Sequence, residues 1–420
     1  MKIKAMLWSI LGMMTFAQLS MGAVSNQKSA AQANNDFGWN LFEKLQQTER
    51  KDENILFSPL SAWLALSLTS NGAEEETLDE MQNVLRIKGF SLVDANQSVK
   101  ALVSQLVKNQ GSSEVLNIAN AIWVNSDSFD LSAKFQSDAS TFFAIAPDQQ
   151  IVNSESFQSP ETLDHINQWV NRSTKGMIPS ILSELNPEMA TILLNTLYFE
   201  GQWYLPFSPF LTSQQDFYRN DGQIKKVAML QESGKHFSFA SNAKYKMISL
   251  GFRAGESIDG RPIAGRFQLD LIIPLADSGT VYDLKQLDYQ QLLSQQQSET
   301  VHVKIPKFKF SYEKTLNTEL QAAGMERAFL PDRAQMQGLG TPKSGGKTFI
   351  SEVLQKTAVE LGENGFKAAA VTTVIVGTTS LEQDSAEFIA DRPFFLALRD
   401  KETGTLLFQG IVADPEFLQE

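Results

Sequence analysis

The chain has 420 residues, 42% of them apolar and 20% charged, which are the proportions of a folded globular protein. Its net charge of −12 argues against nucleic-acid and polyanion partners, whose phosphates are met by clustered Lys and Arg. It contains no cysteine, which excludes disulfides, thiol redox chemistry and a cysteine nucleophile.

At the N-terminus, Lys2 and Lys4 precede an apolar stretch over 5–16 and then small residues around Ser20, Gly22 and Ala23. That order of positive, apolar and small residues predicts an export signal over 1–23, and so a secreted or periplasmic protein. Losing Lys2 and Lys4 with the signal would take the net charge to −14. Residues 24–33 read as a disordered lead-in, and 34–420 as a single domain. No apolar run after residue 25 is long enough to span a bilayer.

Within the domain, Phe37, Leu41, Phe42 and Leu45 recur at helical spacing and predict an amphipathic helix over 34–47. Residues 54–57 read as a short strand. Ser58 then caps a buried helix that has Pro59 at its first position, where the missing N–H costs nothing. Glu74, Glu75 and Glu76 open a further helix at the end its dipole prefers. Segments 116–124, 191–199, 267–273, 394–398 and 406–412 are apolar on both faces, as strands inside a covered sheet must be. Gly404 lies in the polar loop between the last two. Helices gather in the first half and strands in the second, which predicts an α+β fold. His165, His236 and His302 lie far apart in sequence and build no metal-ligand motif. No nucleophile elbow, phosphate-binding loop or dinucleotide fingerprint is present, so the sequence gives no support for an enzyme, a metal or a cofactor.

One stretch stands out. Residues 363–381 read ENGFKAAAVTTVIVGTTSL, and from Ala368 to Leu381 there is no charge, no proline and much β-branching. Such a run is built for a strand interior and is an aggregation hazard if left exposed. Two readings stay open on this segment alone: a plain core strand, or an exposed loop made to fit between two existing strands. Three consecutive alanines pack poorly, and the run is long for a strand. Alternation puts Phe366, Ala368, Ala370, Thr372, Val374 and Val376 on one face, small to medium and uncharged.

The stretch resembles the hinge and reactive-centre loop of serpins, and the resemblance extends from about Asn34 to Pro415. Asn54, Ser58, Pro59 and Ser61 match an N-F-S-P-x-S segment. Ile166, Asn167, Trp169, Val170, Thr174, Gly176 and Ile178 match a second motif, and Asn195, Tyr198, Phe199, Gly201, Trp203 and Phe207 a third. Phe349, Ile350, Ser351, Glu352 and Val353 match the strand leading to the hinge, while Phe394, Phe395, Gly410 and Pro415 close the pattern. The resemblance implies a serpin fold, with helices, three β-sheets including a large central one, and an exposed reactive-centre loop over about 363–385. It implies that Ser58, Ser61 and Asn195 lie beneath the centre of the main sheet, with Gln355 where the family has a histidine. Glu363 and Lys307 would pair near Trp203, where insertion begins, and Gly365 would serve as a flexing hinge followed by Ala368, Ala369 and Ala370.

The implied activity is suicide-substrate inhibition of serine proteases by a monomer, with no polyanion activation expected. The implied reactive bond is Thr379–Ser380, with Thr378 and Leu381 as alternatives. No Lys or Arg occurs between Ala368 and Ser385, so elastase-like or subtilisin-like targets are expected and trypsin-like ones are not. Phe366 departs from the family's small hydroxyl residue. A ring that must enter the sheet first would impair insertion, which leaves a non-inhibitory binding or carrier serpin as the alternative.

Overall fold

The structure is a computed structural model that describes residues 29–108, 111–144, 150–275, 279–366 and 385–416. Helix α1 (Ala30–Thr48) is capped by Ser29, whose hydroxyl accepts from the Gln32 amide at 3.1 Å. The expected lead-in is therefore already helical from Ala30. Ala31 and Ala33 are buried, but alanines carry too little apolar surface to announce a helix by periodicity. After β1 (Ile55–Phe57), Ser58 caps α2 (Pro59–Thr69), as the sequence predicts. Nearly every residue of α2 is buried, so it forms the centre of the core. Helices α3 (Glu75–Val84) and α4 (Leu92–Val107) follow; α3 begins with Glu75 and Glu76 in its first turn.

The chain then forms β2 (Glu114–Asn125), β3 (Phe129–Leu131), α5 (Ala133–Asp138), β4 (Val152–Glu155) and α6 (Pro160–Ser173). Next come β5 (Thr191–Gln202), β6 (Ser213–Tyr218), β7 (Ile224–Ser241), β8 (Tyr245–Glu256), β9 (Pro262–Pro274), α7 (Gln286–Gln295) and β10 (Gln297–Pro306). The last stretch holds β11 (Phe308–Thr315), α8 (Asn317–Ala322), β12 (Gly340–Pro342), β13 (Leu354–Gly362), β14 (Gly365–Phe366), β15 (Ala386–Ile389), β16 (Phe394–Asp400) and β17 (Leu406–Val412).

These strands make three sheets. A nine-stranded sheet runs β1-β17-β16-β9-β8-β7-β10-β15, with β6 on β7. A six-stranded sheet runs β11-β13-β14-β5-β2-β4, and β12 pairs with β3. Strands β16, β17 and the inner part of β9 are buried on both faces, which is why they carry no polar alternation. Trp39 of α1 stacks on Phe395 of β16 with ring centroids 5.4 Å apart. The six-stranded sheet divides its side chains by parity. Leu197 and Phe199 of β5 face the main core beside α2, whereas Ala121, Trp123 and Leu194 face Ile166 and Val170 of α6.

Candidate functional site

Among the described residues, two hold the middle of the six-stranded sheet together. Strand β14 pairs antiparallel with β13 on one side, Leu361 opposite Phe366 and Gly362 opposite Gly365. On the other side it pairs antiparallel with β5, Gly365 opposite Gln202 and Phe366 opposite Gly201. Strands β5 and β13 are thus parallel to each other, and below Phe366 no pairing joins them directly among the described residues. Gly365 is required here by close approach and not by an unusual backbone angle: a Cβ would run into the carbonyl oxygen of Gly201. A Cβ on Gly201 would in turn strike the rings of Phe252 and Phe199.

Phe366, expected as an obstacle that must still enter the sheet, is already inside it. The residue is 4% exposed, and its ring centroid lies 6.3 Å from that of Phe199 and 6.5 Å from that of Phe252. Trp203 stacks on Phe252 at 4.8 Å and donates its indole N–H to the Gly362 carbonyl at 2.9 Å. The Trp203 amide donates to the Asn364 carbonyl, and the Phe207 amide to that of Glu363. The turn that carries the chain from β13 into β14 is therefore tied down at both of its residues.

Glu363 meets Lys307 as the family resemblance implies, with Oε2 3.0 Å from Nζ, and accepts from the Thr212 hydroxyl at 3.1 Å. Burial alone would push the Glu363 carboxyl up. The hydrogen bond from Lys307, the backbone, the lysine's charge and Thr212 together outweigh it and hold the group below the ordinary carboxylate range.

Lower in the sheet lies a polar crossing. The Ser58 amide donates to Oε1 of Gln355, and Nε2 of Gln355 donates back to the Ser58 carbonyl, both at 3.0 Å. The Ser58 hydroxyl accepts from the Ser61 amide, closing the cap of α2, and donates to Leu407 of β17 at 2.8 Å. Ser61 donates to the Asn195 carbonyl at 3.3 Å. The Asn195 side-chain amide donates to Asn120 at 2.6 Å, while its buried Oδ1 has no partner among the described residues. Ser58, Ser61, Asn195 and Gln355 are thus brought together as expected. Below them a cleft of about 120 Å3 is lined by Leu66 and Thr69 of α2, by Leu193 and Leu194 of β5, and by Phe349 and Leu354. Residues 349–353 lead up to β13 and are not part of it.

Ala368, Ala369, Ala370, Thr378, Thr379, Ser380 and Leu381 lie outside the described residues. The chain is described again from Ser385, and β15 pairs parallel with β10. Sequence reasoning did not find Phe252, Thr212 or Asn120. Each acts through partners distant in sequence, and none stands in a local pattern that marks it. Among the described residues no group of three or more His, Asp or Glu side chains could hold a metal ion.

A sequence profile described as Serpin (serine protease inhibitor) matches residues 32–415. A serpin-like protein of Methanosarcina acetivorans is 30% identical over 395 residues, covering 92% of this chain and 86% of that protein. The thermophilic serpin tengpin in its native state superposes with a TM-score of 0.77 at 28% identity, over 91% of this chain and 93% of its own. Thyroxine-binding globulin, solved with thyroxine, shares the fold with a TM-score of 0.75 at 24% identity, over 92% of this chain and 99% of its own.

Proposed function

The chain belongs to the serpin family, and from that premise we propose that it is a suicide-substrate inhibitor of serine proteases. The observation that supports this reading is β14, which starts a strand between β13 and β5 and sets a register for the residues after it. Continued in that register, Ala368 would face Val359 and Phe199, and Ala370 would face Thr357 and Leu197. Their small side chains suit a position between filled neighbours. Thr372 would come level with Gln355 and Asn195, bringing a hydroxyl to the polar crossing described above. Val374 would reach Leu193, at the apolar cleft.

In this mechanism the protease's serine oxygen attacks the carbonyl carbon of Thr379, or of Thr378 or Leu381 as alternatives. The peptide C–N bond breaks, the freed amine becomes the N-terminus of the fragment beginning at Ser380, and the protease stays esterified to the severed loop. Strand insertion then drags it across the molecule before water can hydrolyse the ester. The inhibitor supplies geometry and the protease supplies the nucleophile. The carrier reading rests on Phe366 as an obstacle to entry, and a ring buried within the sheet argues against it. An export signal over 1–23 fits a protein that meets proteases outside the cytoplasm as a monomer.

Incubation with elastase-like, subtilisin-like and trypsin-like enzymes tests the proposal. SDS-stable complexes are expected with the first two, and N-terminal sequencing should show a released fragment starting at Ser380. A shallow apolar pocket separates residues differing by a methylene by only about 1–3 kcal/mol, so selectivity between those two should be broad. Stoichiometric trapping of trypsin would place the reactive bond elsewhere. Turnover by every enzyme without a stable complex would overturn the inhibitor reading.

A further inference from the structure

The sequence casts Phe366 as a brake, but its surroundings give it the opposite role. Four observations meet at this ring. Phe366 lies between β13 and β5 with ladder partners on both sides, Leu361 and Gly201. It is buried in a cluster with Phe199 and Phe252. Its cross-strand partner on β5 is a glycine, and a Cβ there would strike those same two rings, so the space for the cluster exists only because residue 201 has no side chain. Trp203, which ties the preceding turn through Gly362, stacks on Phe252. A small hydroxyl residue at 366 would keep the ladder and lose the cluster.

We propose that Phe366 is a positioning residue that seats the first rung of the loop in the sheet before any protease arrives, fixing the register of insertion and holding β13 and β5 apart at the top. This rests on the inhibitor reading for its consequence, but the seat itself is a property of the uncleaved protein. The ring therefore sets how the cleaved loop divides between insertion, which traps the protease, and release, which turns the inhibitor into a substrate.

Phe366→Thr is the test, with Phe366→Leu as a graded second variant, read in two ways. Hydrogen exchange of the Gly365 and Phe366 amides in the uncleaved protein should quicken by at least about tenfold in Phe366→Thr, because burial of the ring is what keeps this edge closed. The number of inhibitor molecules consumed per protease trapped should rise severalfold, with the melting of the body little changed. Phe366→Leu, which stays apolar but loses aromatic reach, should fall between. Unchanged exchange, or a lower consumption ratio in Phe366→Thr, would overturn the proposal, as would a Phe366→Leu chain equal to the parent on both readouts. If the parent protein traps no protease at all, the inhibitor reading fails, while the exchange measurement still decides whether the seat exists.

Discussion

Glu363 stands at the turn between β13 and β14 with its carboxylate on Lys307 and Thr212. Its proton affinity is lowered in the folded protein. A depressed carboxyl adds stability that is fully present above its unfolded value of about 4.3 and is lost as pH falls through the lower folded value. Glu363→Gln should therefore loosen the hinge at pH 6, by about 1 kcal/mol for a half-buried ion pair, and differ less from the parent at pH 3. Hinge amide exchange at the two pH values checks this; an equal gap between the proteins at both would show that the charge is idle. Single residues were legible in the sequence where their chemistry is local. The Ser58 cap and Pro59 lie next to each other in the chain and announce themselves. Gln355 was placed by resemblance, and its reciprocal bonds to Ser58 show how an amide, with an acceptor oxygen beside a donor nitrogen, spans both backbone groups of the capping residue.

Among elements, β9, β16 and β17 of the nine-stranded sheet were readable because a strand covered on both faces has no polar alternation to confuse it. The hairpin of β13 and β14 was not readable as a formed element. Its ladder depends on Gly201, more than 150 residues away in sequence, and on ring contacts that no periodicity encodes. Once β14 is known, parity becomes a sharp instrument. If the chain continues in its register, Thr372 would fall on the face of Phe366, toward the core, and Thr373 on the other. Thr372→Arg should convert the protein to a plain substrate, because the guanidinium would have to be buried at the Asn195 level without a counter-ion. Thr373→Arg should still trap protease. Equal behaviour of the two variants would show that the loop does not follow the register of β14.

At the scale of the whole molecule, a severed loop that joins the six-stranded sheet adds backbone hydrogen bonds on both of its edges. About ten such bonds at ~1 kcal/mol each rival the full stability of an ordinary domain. Cleavage between Val374 and Leu381 should accordingly raise the melting temperature by roughly 20 °C. A cleaved protein that melts with the intact one would mean that the loop stays outside. The turn at Glu363 and Asn364 carries a kinetic meaning as well. Because β14 follows β13 through those two residues, insertion would be the lengthening of a hairpin whose nucleus already exists. Every pair added on the β13 side would be a neighbour in sequence, and the distant partner on β5 was brought into place when the body folded. Whole hairpins close in about 1–10 μs, and local contacts close quickly because little chain entropy separates their ends. The chain would therefore reach its final state by propagation alone, with no search, and the acyl bond to the protease would have to outlast only that.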